Sequence, residues 1–311
     1  MTRRLRFHPG RASGVTLIEL AITIALVGIL AALIVQFVAP VRSYIDSSRR
    51  AALADTADTA LRRIGRDVRL ALPNSVRVDA ATKKYVEFML VRTAGRYRLE
   101  TDPGAASTCT GGAAKDVLEF RTADDCFKTI GNLYNPRTDI DNIANPNRVT
   151  TSDYVVLFNL QPATTDADAY QSGAATGGNK AKITAATSVS AGEDKIEFDS
   201  LAFNFESPGR RFFIIEGPVS YGCDTTAKTL TRYWGYTQYG TAESGQQTPP
   251  ADGSNAVLAT GVTGCEFNYD SSVAAQGAGL LTMRLQLSMQ DSRGDTENVI
   301  LYHTVHVNNV P

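Results

Sequence analysis

Residues 15 to 39, VTLIELAITIALVGILAALIVQFVA, form an almost unbroken apolar run that holds one charged side chain, Glu19. As an α-helix these 25 residues extend roughly 37 Å, enough to cross a hydrocarbon layer of about 30 Å with some tilt. The leader before the run carries Arg3, Arg4, Arg6 and Arg11 and no acid, and such a charge bias holds an N-terminus in the cytoplasm and exports the rest of the chain. A secretory signal is cut after its apolar stretch, whereas the small-residue site here, Ser13-Gly14, lies before it. Cleavage there leaves the apolar segment on the mature chain.

A carboxylate at the centre of a bilayer costs on the order of 2.5–3.5 kcal/mol, so Glu19 needs a partner or a place at the interface. Two readings satisfy that need. A new α-amine at Val15 lies one helical turn from Glu19 and attracts it strongly in a low dielectric, within the chain or across to a neighbour. Alternatively, Glu19 sits at headgroup level in the first turn, where the helix dipole favours an anion and no partner is required.

The residues Gly14-Val15-Thr16-Leu17-Ile18-Glu19-Leu20 resemble the type III prepilin signal of type IV pilins and type II secretion pseudopilins. The family's usual residue after the glycine is Phe; Val15 departs from it, and Thr16 to Leu20 match. The resemblance implies that a prepilin peptidase cuts between Gly14 and Val15 and N-methylates Val15, and that Glu19 serves as the assembly carboxylate. Further on, Arg66-Asp67-Val68-Arg69-Leu70-Ala71-Leu72-Pro73-Asn74-Ser75-Val76 is similar to the helix end of minor pilins of the mannose-sensitive haemagglutinin (MSHA) pilus, the MshO-like group, and more distantly of PilW-like ones.

Beyond Pro40, Leu53, Ala57, Leu61, Ile64, Val68 and Leu72 recur at spacings of three and four, which predicts an amphipathic helix continuing to Pro73. Pro40 should kink or loosen it, Gly65 is a weaker interruption, and Pro73-Asn74 ends it. The other faces mix Asp46, Asp55, Asp58 and Asp67 with Arg49, Arg50, Arg62, Arg63, Arg66 and Arg69, the pattern of a solvated surface rather than a nucleic-acid patch.

From Asn74 the chain changes to short branched and aromatic runs between Gly, Pro, Asn, Asp and Ser clusters. Strands are expected over 84–91, 117–121, 154–160, 195–199, 211–216, 229–234 and 265–269. The clearest is 281–289, with Leu281, Met283, Leu285, Leu287 and Met289 at a strict period of two; a turn at 291–295 and a return over 298–307 make an antiparallel hairpin. Segments 101–115, 161–194 and 241–256 read as long loops. The expected fold is therefore α+β and pilin-like. It has a leader (1–14), a long helix (15–73, with 15–39 transmembrane) and a β-rich antiparallel globular domain (74–311).

Cys109, Cys126, Cys223 and Cys265 all lie in the exported part, where disulfides are the default. Of the three connectivities, Cys109–Cys126 with Cys223–Cys265 closes two local loops without crossing. A metal site is poorly supported: no Cys-x-x-Cys occurs, and His303 and His306, three apart on a strand, point to opposite faces. Asp166 with Asp168, or Asp139 with Asp141, lacks a recognisable calcium ligand series. Residues 173–180 do not complete a phosphate loop, and Arg293-Gly294-Asp295 reads as a charged hairpin turn. Three histidines, one in the leader, leave little for nucleophilic catalysis. Loss of the four leader arginines takes the formal charge from −1 to −5, which disfavours nucleic-acid binding by the bulk domain.

Together these features predict a non-enzymatic chain without cofactor or metal. By the resemblance it is a minor pilin, inserted in the bacterial inner membrane with its globular domain in the periplasm and then assembled into a pilus. It would work with a prepilin peptidase, other major and minor pilins, an inner-membrane assembly platform and an assembly ATPase. The alternatives are a minor pseudopilin of a type II secretion system and a membrane-tethered periplasmic binding domain or enzyme.

Overall fold

The protein is described from a computed structural model that covers residues 14–101, 109, 116–133, 148–160, 163–171, 178–190, 192–237, 248–271, 277–290 and 294–311. An apolar N-terminal helix, α1 (Leu17–Arg69), precedes a β-rich region built of antiparallel sheets. Pro40 does not divide α1, which is one element of 53 residues. By packing, the chain forms two compact units, Met1–Ala52 with Gln290–Asp295 and Leu53–Met289 with Thr296–Pro311. The unit boundary thus falls inside the helix rather than after Pro73.

In the first unit, α1 is apolar on every face over Leu17–Ile34, and none of these 18 residues is buried. In the second, the stripe anticipated from spacing is the buried one: Ala57, Ala60, Leu61, Ile64 and Val68 lie in a core with strand residues. The helix stops at Arg69, before the expected Pro73. Leu70 and Ala71 turn back to the carbonyls of Asp67 and Val68. Leu72 N–H then donates to Met89 O at 2.8 Å, and Val91 N–H to Leu70 O at 2.9 Å. Strand pairing, and not the proline, takes the chain out of the helix.

The strands are β1 (Arg77–Val78), β2 (Tyr85–Tyr97), β3 (Asp124–Ile130), β4 (Tyr154–Leu157), β5 (Lys180–Ser190), β6 (Glu193–Leu201), β7 (Arg211–Asp224), β8 (Thr229–Trp234), β9 (Ser254–Thr260), β10 (Val262–Asp270), β11 (Ala278–Gln290) and β12 (Thr296–Asn308). One sheet has the order β1-β2-β3-β6-β5-β4-β7-β8-β9, and β2 also pairs with β7. That extra ladder closes β2, β3, β6, β5, β4 and β7 into a ring. Its strands alternate with a period of two, and Phe127, Val155, Leu157, Ala181, Ile183, Ile196, Phe198, Phe212 and Ile214 form one buried cluster. Phe127 meets Phe212 edge to face at 5.0 Å.

The long strands β2 and β7 serve two cores. Tyr85 to Leu90 pair with Gly222 to Gly217, the register then breaks, and Val91 to Arg96 pair with Ile215 to Arg211. Gly217, at φ +127°, adopts the conformation that this irregularity requires and that side chains resist. On one side of the break Val86, Phe88, Val219 and Tyr221 pack with the helix; on the other Phe212 and Ile214 enter the ring cluster. A second sheet, β10-β11-β12, adds Leu281, Met283, Leu285, Leu287, Val305 and Val307 to the helix core.

The expected loop over 161–194 contains β5 and the start of β6, and the loop over 241–256 contains the start of β9. The segment over 117–121 forms only an isolated bridge, Phe120 to Phe203. Lys180–Ser190 is a run of Lys, Ala, Thr and Ser with little intrinsic strand signal, and its pairing to β4 on one side and β6 on the other overrides that weakness.

Candidate assembly segment

The start of α1 is built by a side-chain cap. Thr16 O accepts the Leu20 N–H at 3.1 Å, and Thr16 Oγ1 accepts the Glu19 N–H at 3.3 Å. Thr16 is therefore the N-cap and Glu19 the third helical residue, the Thr-x-x-Glu spacing that starts many helices. That spacing stands in the sequence, where the isolated acid is the more conspicuous feature. Glu19 occupies the first turn, where its charge meets the positive end of the helix dipole. Gly14 lies exposed before the cap, and a Cβ built there would meet nothing within 4 Å. Val15 is 69% exposed. Cleavage residues, methylation site and carboxylate thus fall within the six residues from Gly14 to Glu19, while the leader, 1–13, lies outside the described residues.

The other end of the helix is clamped. Tyr221 Oη donates to Asp67 Oδ2 at 2.6 Å, Arg232 Nε donates to the same oxygen at 2.9 Å, and Arg63 Nε lies 3.4 Å from Asp67 Oδ1. Burial, then the Asp67 charge, raise the Tyr221 phenol well above its ordinary value, so it stays a donor. Arg232 also lies over the Trp234 ring at 4.9 Å. Gly65 has a different role from the interruption expected. A Cβ there would come within 3.1 Å of His303 Nε2 and 3.2 Å of Val305 Cγ2, so glycine lets the helix approach β12. No single-residue signal in the sequence marks that contact.

The structure joins Cys109 to Cys126 and Cys223 to Cys265. The first bridge holds Cys109 against β3; the second ties β7 of the large sheet to β10 of the small one. A buried ion pair adds to the same unit: Arg77 Nε donates to Glu87 Oε2 at 2.8 Å, while Tyr236 Oη donates to Glu87 Oε1 at 2.6 Å. Lys128 Nζ lies 3.1 Å from Asp116 Oδ2 beneath the segment that Cys109 anchors.

Among the described residues no group of three or more His, Cys, Asp or Glu side chains could hold a metal ion. Asp168 accepts the Ala163 and Tyr170 N–H groups at 2.8 and 2.9 Å, and Asp166 accepts Asn204 Nδ2 at 2.8 Å, so both carboxylates close turns. Asp139 and Asp141 lie outside the described residues, as does Arg293 beside Gly294 and Asp295. His303 sits beside Gly65, whereas His306 is exposed. Of the glycine-rich segment, 178–180 is described, and Lys180 opens β5 with its Nζ 5.3 Å from the Tyr154 ring centre. Burial lowers the Lys180 ammonium to about 8, against an opposing pull from Asp168.

Compared with protein-family models, curated proteins and solved structures, the chain matches none. Its functional reading therefore rests on its own residues.

Proposed function

We propose that the chain is a minor pilin, a structural assembly subunit that primes or caps a type IV pilus of the MSHA-like kind. One observation carries the reading: a helix apolar on all faces, with its first turn capped by Thr16 and holding Glu19, directly behind an exposed Gly14 and a basic leader. A helix with no polar face needs lipid or other helices around it, and a subunit that moves from membrane to filament meets both. Cleavage after Gly14 frees a cationic amine at Val15, which Glu19 of the same or an adjoining subunit neutralises in a low dielectric. N-methylation of Val15 keeps that amine basic. The N-terminus starts in the cytoplasm, and the disulfide-bearing unit lies in the periplasm before assembly, an oxidising setting in which both bridges persist.

The test separates processing from docking. Gly14→Ala or a bulkier residue is expected to leave an unprocessed species of higher mass. Glu19→Ala is expected to leave insertion and cleavage intact and to abolish incorporation into filaments. Normal incorporation of Glu19→Ala would remove the docking role of the carboxylate, and a mature N-terminus at Val15 in the Gly14 variants would remove the glycine requirement.

A further inference from the structure

We propose that the outward face of α1 between Asp55 and Arg69 is a contact for a second copy of this chain, lying parallel and displaced along the helix by three turns. The proposal rests on the assembly-subunit reading, because helices inserted in one membrane with one polarity run parallel. Asp55, Arg62, Arg66 and Arg69 are exposed and Asp58 is half-buried, on the side opposite the buried Ala57, Leu61, Ile64 and Val68. At 100° per residue, positions 55, 58, 62, 66 and 69 form one stripe. Its charges are segregated, with acids at one end and arginines at the other. Asp58 pairs with Arg62 at 2.7 Å on the surface, and Arg63 pairs with Asp67 at the flank. Asp55, Arg66 and Arg69 have no ion-pair partner among the described residues.

The spacing makes the stripe complementary to itself. Asp55 and Arg66 are eleven positions apart, and so are Asp58 and Arg69, so one shift of about 16 Å brings both acids of one copy opposite both arginines of the other. Arg62 then faces position 51, an alanine, and meets no like charge. An antiparallel pairing centred on Arg62 would also match acids with arginines, but it sets Arg62 against its own copy. A parallel contact with an axial shift joins two different patches and does not close on itself, which is the geometry of a growing fibre.

Full-length protein in detergent, carrying either of two tags, tests the contact by chemical cross-linking. The reversals Arg66→Glu with Arg69→Glu, and Asp55→Arg with Asp58→Arg, should each lower self-association roughly tenfold as several exposed pairs turn repulsive. Mixing the two variants should restore cross-linking between different tags only, because each then meets its complement. Arg66→Lys with Arg69→Lys should stay near the unaltered level, and added salt should weaken the native contact. Circular dichroism of each variant verifies that the fold is retained. Unaltered association of the reversed variants, or no recovery on mixing, would overturn the proposal. Loss of sedimentation with anionic phosphatidylglycerol vesicles in the arginine reversal, with self-association unaltered, would overturn it in favour of a lipid surface. Mass measurement of the N-terminus in the same samples keeps a failure of leader processing distinct from a failure of this contact.

Discussion

Two stretches of one helix solve opposite problems. Over Leu17–Ile34 every residue is exposed and nearly all are apolar, so nothing in the chain's own fold stabilises that surface. Over Leu53–Val68 the apolar residues are confined to one stripe, and Ala57 and Ile64 at 0% exposure are covered by both sheets. The difference teaches that helix propensity is common to both while the burying medium is not. The second stretch is a core element supplied with its partners, and the first requires a medium from outside.

The largest expected contrast is in packing. Ile64→Ala should lower the unfolding free energy of the globular unit by about 3 kcal/mol, since a buried cavity adds to the lost transfer energy. Ile24→Ala should change it by less than about 0.5 kcal/mol. Denaturant titrations of both variants in detergent measure the pair, and equal losses would break the comparison.

Glycine gives the next contrast. Gly65→Leu forces a side chain against His303 and Val305 and should cost about 1–3 kcal/mol. A Cβ at Gly28 would meet nothing within 4 Å, so Gly28→Leu should leave the melting temperature unaltered. A smaller effect, about 1–2 kcal/mol, is expected for Tyr221→Phe, which takes one donor from Asp67 but leaves Arg232 and Arg63 beside it.

The smallest is a pH effect. Lys180 titrates at about 8 when folded and near its ordinary 10.5 when unfolded, so between those values the unfolded chain binds the extra proton. Stability should therefore rise from pH 8 towards 10, and Lys180→Met should flatten that rise in a series of melting curves. Tyr85, pushed up to about 12 by burial, acts with the opposite sign above pH 10, so the two effects occupy separate windows.

How much of this was legible depends on where each constraint acts. Periodicity revealed the buried stripe of α1 and the inward face of β11, because one residue after another there faces the same core. The two nearest-neighbour disulfides followed from loop closure alone. The closed ring was not legible: β3 reads DDCFKTI, with three charged residues in seven, and β5 is mostly small and polar, so both are strands only because neighbours pair with them. The Asp67 clamp joins residues more than 150 positions apart, a distance over which spacing carries no signal. Within the assembly segment, the order of Gly14, Thr16 and Glu19 was plain in the sequence, whereas the cap that fixes the first turn needed the backbone geometry.

The central claim is that a carboxylate placed in an apolar helix is matched by an amine freed next to it. Intact-mass and peptide-mass analysis of the native protein, isolated from membranes and from filaments, tests it most directly. The account predicts an N-terminus at Val15 carrying one methyl group, with the same species present in the filament fraction. Recovery of the chain with Arg3, Arg4, Arg6 and Arg11 still attached, and its absence from every filament, would contradict it.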